Sequence, residues 1–197
     1  MNFIAVGTVR RVFQTILRPG EKMEYEPVLP LVSILSPSPR KMAAAAGRLK
    51  SSWQQLVVCA PPFPFDQTDY YAEEIGHPLF RWWGYRDSLA NPARLVEWKQ
   101  TCAGLEDDLR DSAGNRTVNL DPGYLNFGLV VLASFKYDLQ KIYLGEKIYA
   151  DPVLQFGEGS YQSFPWSFPD FKKTTYYSLL KKLRDRYKQL RKDNRRS

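Results

Sequence analysis

Histidine occurs once and cysteine twice in the 197 residues, and these scarcities remove whole classes of chemistry. Neither a Cys-x-x-Cys pair nor a His-Glu-x-x-His helix is present, so the usual zinc-site patterns are missing. A Ser-His-Asp triad would rest on His77 alone, and no Gly-x-Ser-x-Gly elbow presents a serine. The phosphate loops Gly-x-x-x-x-Gly-Lys-Ser/Thr and Gly-x-Gly-x-x-Gly are both lacking, so a nucleotide site would need another design. No apolar run reaches the roughly 20 residues of a membrane helix. The short apolar patch at 3–9 has no basic residues before it and no small-residue cleavage site after it, unlike a signal peptide. Cys59 and Cys102 both sit among apolar neighbours, which fits buried thiols in a reducing compartment and not a disulfide framework. The expectation is a cytoplasmic protein with no membrane partner.

Aromatics and prolines, by contrast, are plentiful. Five Trp, twelve Tyr and eleven Phe imply a core built largely from rings with polar handles. Fourteen prolines argue for extended connections and against an all-helical bundle. The net charge of +7 is unevenly placed: from Lys172 onward there are eleven Lys/Arg against two Asp, so the preceding residues sum to −2. The basic character belongs to the C-terminus.

Residues 1–26 fit poorly with the rest of the chain and are expected to be a dispensable extension. Residues 27–187 suit a single domain, and 188–197 a basic tail. A branched apolar run at 27–35 predicts a strand. Ser36-Pro37 and Ser38-Pro39 then offer caps for a helix over 40–54, and 56–60 predicts a second strand. Strand, helix, strand gives a βαβ-like opening. Prolines keep 61–64 extended, and 79–85 reads as an aromatic strand. Asn91-Pro92 opens a second helix with Leu95, Trp98, Cys102, Leu105 and Leu109 as its apolar stripe. Residues 117–120 predict a short strand entering a type II turn, with Pro122 and Gly123 at its centre. Residues 128–135 predict another strand, 141–150 a hairpin and 157–170 a long aromatic loop. A terminal helix then carries Tyr176, Leu180, Leu183, Tyr187 and Leu190 on one face. The sum is an α+β fold, with a mostly antiparallel or mixed sheet and about three helices.

Four stretches carry a resemblance: Pro-Phe-Asp-Gln-Thr-Asp-Tyr-Tyr at 64–71, Val-Asn-Leu-Asp-Pro-Gly-Tyr-Leu at 118–125, Ile-Tyr-Leu-Gly at 142–145 and Pro-Trp-Ser-Phe-Pro-Asp at 165–170. In this order and spacing, from about Pro27 to Tyr187, the chain resembles a bacterial family catalogued as domain of unknown function 4416. The resemblance implies a stand-alone cytoplasmic bacterial protein and almost nothing about activity. Two departures stand out against the family pattern. Pro152 follows Asp151, which should break a central ladder or mark an edge. The histidine common before the Ile-Tyr-Leu motif is replaced by Asp138-Leu-Gln-Lys-Ile.

Two polar sets are candidates for a site. Asp66, Thr68, Asp69 and Tyr70, with Glu73, Glu74 and His77 beyond them, could join Asp121 in space; Asp66, Asp69 and Asp121 would suit a hard divalent ion. The plainer alternative is side-chain capping of a loop and helix start. Asn119, Asp121, Tyr124, Lys136 and Tyr143 could face one another across strands and hold a phosphate or move a proton. The alternative there is a surface ion pair with amphipathic rings. The expected function is binding of a phosphorylated or anionic ligand, with or without a divalent metal ion. A nucleic-acid module acting through Lys181, Lys182, Arg184, Lys188 and Arg191 is the second reading, against a merely solvated helix face. A partner-binding protein without catalysis is the third.

Overall fold

The computed structural model describes residues 25–66 and 75–195. Among these, eight strands form one antiparallel sheet with helices on both faces, an α+β architecture. Strand β1 (Leu29–Ser36) leads to helix α1 (Pro39–Ser52), whose N-cap Ser38 accepts from the Lys41 N–H and whose first position is Pro39. Strand β2 (Leu56–Phe65) follows, and β3 (Leu79–Arg86) lies between β1 and β2, antiparallel to both. The opening is therefore a split β-α-β unit. β2 is an edge strand, which is where Pro61, Pro62 and Pro64 can sit without breaking a ladder.

A single 3-10 turn (Pro92–Arg94), capped by Asn91, starts helix α2 (Leu95–Asp108). Strands β4 (Asn119–Leu125), β5 (Leu129–Ser134), β6 (Ile142–Gly145), β7 (Ile148–Gly157) and β8 (Ser160–Ser163) complete the sheet in the order β2-β3-β1-β4-β5-β7-β6, with β8 also on β7. The expected hairpin is β6–β7, and its turn residues Glu146 and Lys147 both have positive φ, the type I′ geometry that matches strand twist. Short helix α3 (Pro169–Lys172), a 3-10 turn (Thr174–Tyr176) and helix α4 (Tyr177–Asn194) end the chain.

Alternation along the strands divides the core. Val32, Ile34, Leu120, Val131 and Ala133 face α1 and α2, where Leu49, Trp53, Leu95, Trp98 and Cys102 are packed. Leu29, Leu31, Trp83, Val130 and Leu132 face α3 and α4, against Phe171, Tyr176, Leu180, Leu183 and Tyr187. The predicted stripes of α2 and α4 thus face the core, and the rings meet edge to face, as Trp53 with Trp98 and Trp83 with Tyr176.

Two expectations need correction. The type II corner over Asp121–Tyr124 does not exist: residues 119–125 run straight as β4, paired along their length with β1. Gly123 is not among the positive-φ glycines. It is required because β5 approaches so closely that a Cβ would collide with the Val131 carbonyl and lie 2.7 Å from Leu132 Cδ2. Pro122 is tolerated because pairing with β5 begins only at Gly123, so its missing N–H points where no ladder runs. Pro152, expected to break a central ladder or mark an edge, does break one: the register with β5 slips there by one residue, and on its other side β6 pairing has ended before β8 pairing begins. A bulge is where a strand admits proline. The expected loop at 157–170 instead contains β8, turned through Glu158 and Gly159 at positive φ.

Candidate functional site

The β4–β5 ladder stops at Gly123–Leu132, while β5 continues beside β7 to Ser134–Tyr149. Residues 119–122 of β4 consequently have β1 on one side and, among the described residues, no strand on the other. Two side chains of α2 stand in for the absent strand. Glu106 accepts from the Leu120 N–H, and the Lys99 ammonium donates to the Leu120 carbonyl at 3.0 Å. Both lie on the buried face of α2, seven residues apart, so the helix period aims them at the same strand.

Lys99 reaches through this opening to the other sheet face, where its Nζ lies 3.1 Å from Asp121 Oδ1. Asn119 Nδ2 donates to Asp121 Oδ2, and Arg116 Nη1 donates to Asn119 Oδ1 at 3.0 Å and pairs with Glu106 at 3.4 Å. Arg116, Asn119, Asp121, Lys99 and Glu106 therefore form one connected network. Burial pushes the Glu106 carboxyl up, with Lys99 and the Leu120 N–H opposing.

Next to this network is a cavity of about 310 Å³. Its floor is Asn119 and Asp121 of β4 with Leu132, Ala133 and Ser134 of β5. On the β7 side Asp151 lies with Oδ2 3.2 Å from Lys141 Nζ, both side chains more than nine-tenths buried. Burial raises the Asp151 carboxyl and Lys141 lowers it. Opposite, Arg81 of β3 pairs with Asp170 of α3 at 2.6 Å. The Arg81 guanidinium is enclosed by rings, with its carbon 4.7 Å from the Phe65 centroid and 5.3 Å from that of Phe171. The exposed segment 135–138 brings Phe135, Lys136, Tyr137 and Asp138 to the mouth, with half-exposed Phe168 across from it.

Of the residues expected from sequence, Asn119, Asp121 and Lys136 converge on this cavity. Tyr124 does not: it packs among the α1 and α2 side chains, and burial raises its hydroxyl. Tyr143 is 60% exposed on β6 and packs on Tyr149 instead. Asp66 is exposed directly after Phe65, which does line the cavity. Thr68, Asp69 and Tyr70, together with Glu73 and Glu74, lie outside the described residues. Asp121, one of the three expected metal ligands, is held by Lys99 and Asn119. Among the described residues no group of three or more His, Cys, Asp or Glu side chains is arranged for a metal ion.

The terminal cations divide. Arg191 is buried against Glu26 and the Phe127 ring, Arg184 donates to the Phe127 carbonyl and covers the Phe156 ring at 3.6 Å, and Lys188 pairs with Asp185. Lys181 and Lys182 are exposed. No helix among the described residues is long and apolar enough to cross a membrane.

Sequence reasoning missed Arg81, Lys99, Arg116, Lys141, Asp151 and Asp170. The signal for Lys99 was its place among Leu95, Trp98 and Cys102 on an apolar helix face, where a lysine needs a partner. Asp170 and Phe168 lie in the 165–170 stretch, Phe65 in 64–71, and Asn119 and Asp121 in 118–125, so three of the four stretches behind the resemblance supply this cavity. No curated protein and no solved structure matches the chain. A family model does match, over residues 26–187, and the chain belongs to that family, described as Domain of unknown function (DUF4416).

Proposed function

We propose that the cavity beside the β4–β5 opening binds a small anionic ligand, a phosphate or carboxylate compound. One observation carries this reading: five cations from separate parts of the chain, Arg81, Lys99, Arg116, Lys136 and Lys141, line a single cavity. Three of their side chains are more than nine-tenths buried, each beside one carboxylate. Burying ion pairs costs several kcal/mol per charge before their attraction is counted, and apolar pairs of the same volume often hold a fold as well or better. Three such pairs around one cavity favour a binding site over a purely structural role.

Size narrows the ligand. A cavity of about 310 Å³ is at the small end for ligand sites, suited to a metabolite of a few carbons and not to a polymer chain. Phe135 and Phe168 at the mouth offer ring faces to its organic part.

The test is calorimetry with inorganic phosphate, small phosphate monoesters and small carboxylates, on the full chain and on Lys136→Glu. Lys136 is exposed, so its reversal should leave the melting temperature in place and weaken binding by about tenfold or more. Absence of binding by every probe, or unchanged affinity in Lys136→Glu, overturns the reading.

A further inference from the structure

We infer that the ligand carries a hydrogen-bond donor, a hydroxyl or an amine, in addition to its anionic group, and that Asp151 Oδ1 receives it. This rests on the anion-site reading above and specifies the ligand further. Asp151 is 5% exposed and lines the cavity. Its Oδ2 is engaged by Lys141, while Oδ1 is buried with no hydrogen-bond partner among the described residues. Buried carboxylate oxygens are seldom left in that condition, because the lost hydration is not replaced. Its neighbours in the sheet do not repair it. Asp151 pairs in register with Leu132 of β5, whose side chain is apolar. Pro152, next in the chain, has no N–H to give. The residue itself lines the cavity.

Position turns this into a ligand description. Leu132 is itself in register with Gly123 of β4, so Asp151 is two strand spacings, roughly 10 Å, from the β4 backbone. Asp121, two residues along β4, lies on the same sheet face and is held by Lys99 and Asn119. Cations therefore flank the cavity on the β4 side, through Lys99 and Arg116, and an acceptor stands on the β7 side. A three- or four-carbon compound with an anionic group at one end and a hydroxyl or amine near the other spans that distance. A simple inorganic anion would satisfy the cations and leave Oδ1 as it is.

Matched pairs of probes test this at about pH 8, where an ordinary carboxyl is fully ionised. Glycerol 3-phosphate is compared with propyl phosphate, and glycerate with propanoate; in each pair only the hydroxyls differ. In at least one pair the hydroxylated member should bind about tenfold or more tightly, as expected for a hydrogen bond to a charged acceptor. In Asp151→Asn the amide oxygen must face the Lys141 ammonium, which puts the NH2 group where Oδ1 stood, so the preference should weaken. Asp151→Leu should reduce it to within about twofold. Since that variant leaves Lys141 without its partner, the Lys141→Met/Asp151→Leu double variant is measured beside it, and the ratio within a pair is the readout. Equal binding of both members by the wild-type protein, or a preference that survives in the leucine variants, overturns the donor while leaving the anion site standing. Failure of both pairs to bind removes the anion site and this inference with it.

Discussion

The Lys99 ammonium bridges the Leu120 carbonyl oxygen and Asp121 Oδ1 at 3.0 and 3.1 Å, tying α2 to β4 where β5 turns away. One side chain thereby satisfies a strand backbone and fixes a cavity-lining carboxylate. Lys99→Met keeps much of the volume but strands both acceptors. Its expected cost is about 2–4 kcal/mol, read as a lower denaturant midpoint at unchanged slope. A change below about 0.5 kcal/mol would mean that water replaces the ammonium and that the opening is only loosely closed.

The two glycines Gly123 and Gly104 should respond to alanine with opposite signs. At Gly123 the added methyl meets the Val131 carbonyl and Leu132, so strand β5 must shift; a loss of about 2–3 kcal/mol is expected. At Gly104, inside α2, nothing lies within 4 Å of the new Cβ, and alanine should stabilise by about 0.5–1 kcal/mol through helix propensity. Thermal melts of the two variants decide it. Equal effects would contradict the close approach of β4 and β5.

Helix α4 is expected to depend on its last turns. Arg191 is 3% exposed beside Glu26, with its guanidinium 5.8 Å from the Phe127 ring, and the Tyr187 hydroxyl lies 3.0 Å from the Pro27 carbonyl. Ending the chain after Tyr187 removes Arg191 and the half-buried Leu190. The expected loss is about 2–4 kcal/mol, whereas Lys181→Gln and Lys182→Gln on the exposed face should stay within about 0.5 kcal/mol. Urea unfolding of the three variants measures this, and a truncated chain as stable as the full one would refute it.

How much of this was written in the sequence depends on whether the signal was local. Helix α2 was legible from Asn91-Pro92 and the Leu95–Trp98–Cys102 spacing, and the β6–β7 hairpin from Gly145 and its neighbours, because caps, periods and turns act within a few residues. Asp121-Pro122-Gly123 misled for the same reason: locally it reads as a turn. Its proline is explained by a ladder that starts one residue later, and its glycine by the Val131 carbonyl of another strand. The cavity depends entirely on such distant facts. Asn119, Asp121 and Lys136 were recognisable as polar residues near one corner. The pairing of Arg81 with Asp170 joins residues 89 apart, and nothing near either one announces the other.

The thiols provide a chemical check. Cys102 is fully buried, and burial raises both thiols, Cys59 to about 11. Thiolate is the reactive form, so at about pH 8 both should react slowly with a disulfide reagent in the native protein and fully in denaturant. Cys59, which is only half-buried, should be the faster of the two. Rapid labelling of Cys102 under native conditions would show that the α1–α2 side of the core opens readily.

Glu106 gives the pH signature of the opening. Its carboxyl is raised by burial from an ordinary value of 4.5, and it accepts from the Leu120 N–H. A carboxyl raised on folding binds its proton more tightly in the native state. The stability it contributes is therefore whole below about pH 4.5 and declines as pH rises through the native value. Glu106→Gln keeps an acceptor for Leu120 but cannot ionise. The variant should be the less stable protein in acid and should gain on the wild type as the medium approaches neutrality. Denaturant midpoints of both proteins between about pH 4 and 8 measure the crossing. A gap that stays constant, or widens in favour of the wild type as pH rises, would mean that Lys99 and Arg116 compensate the charge fully and that Glu106 is held ionised in the network.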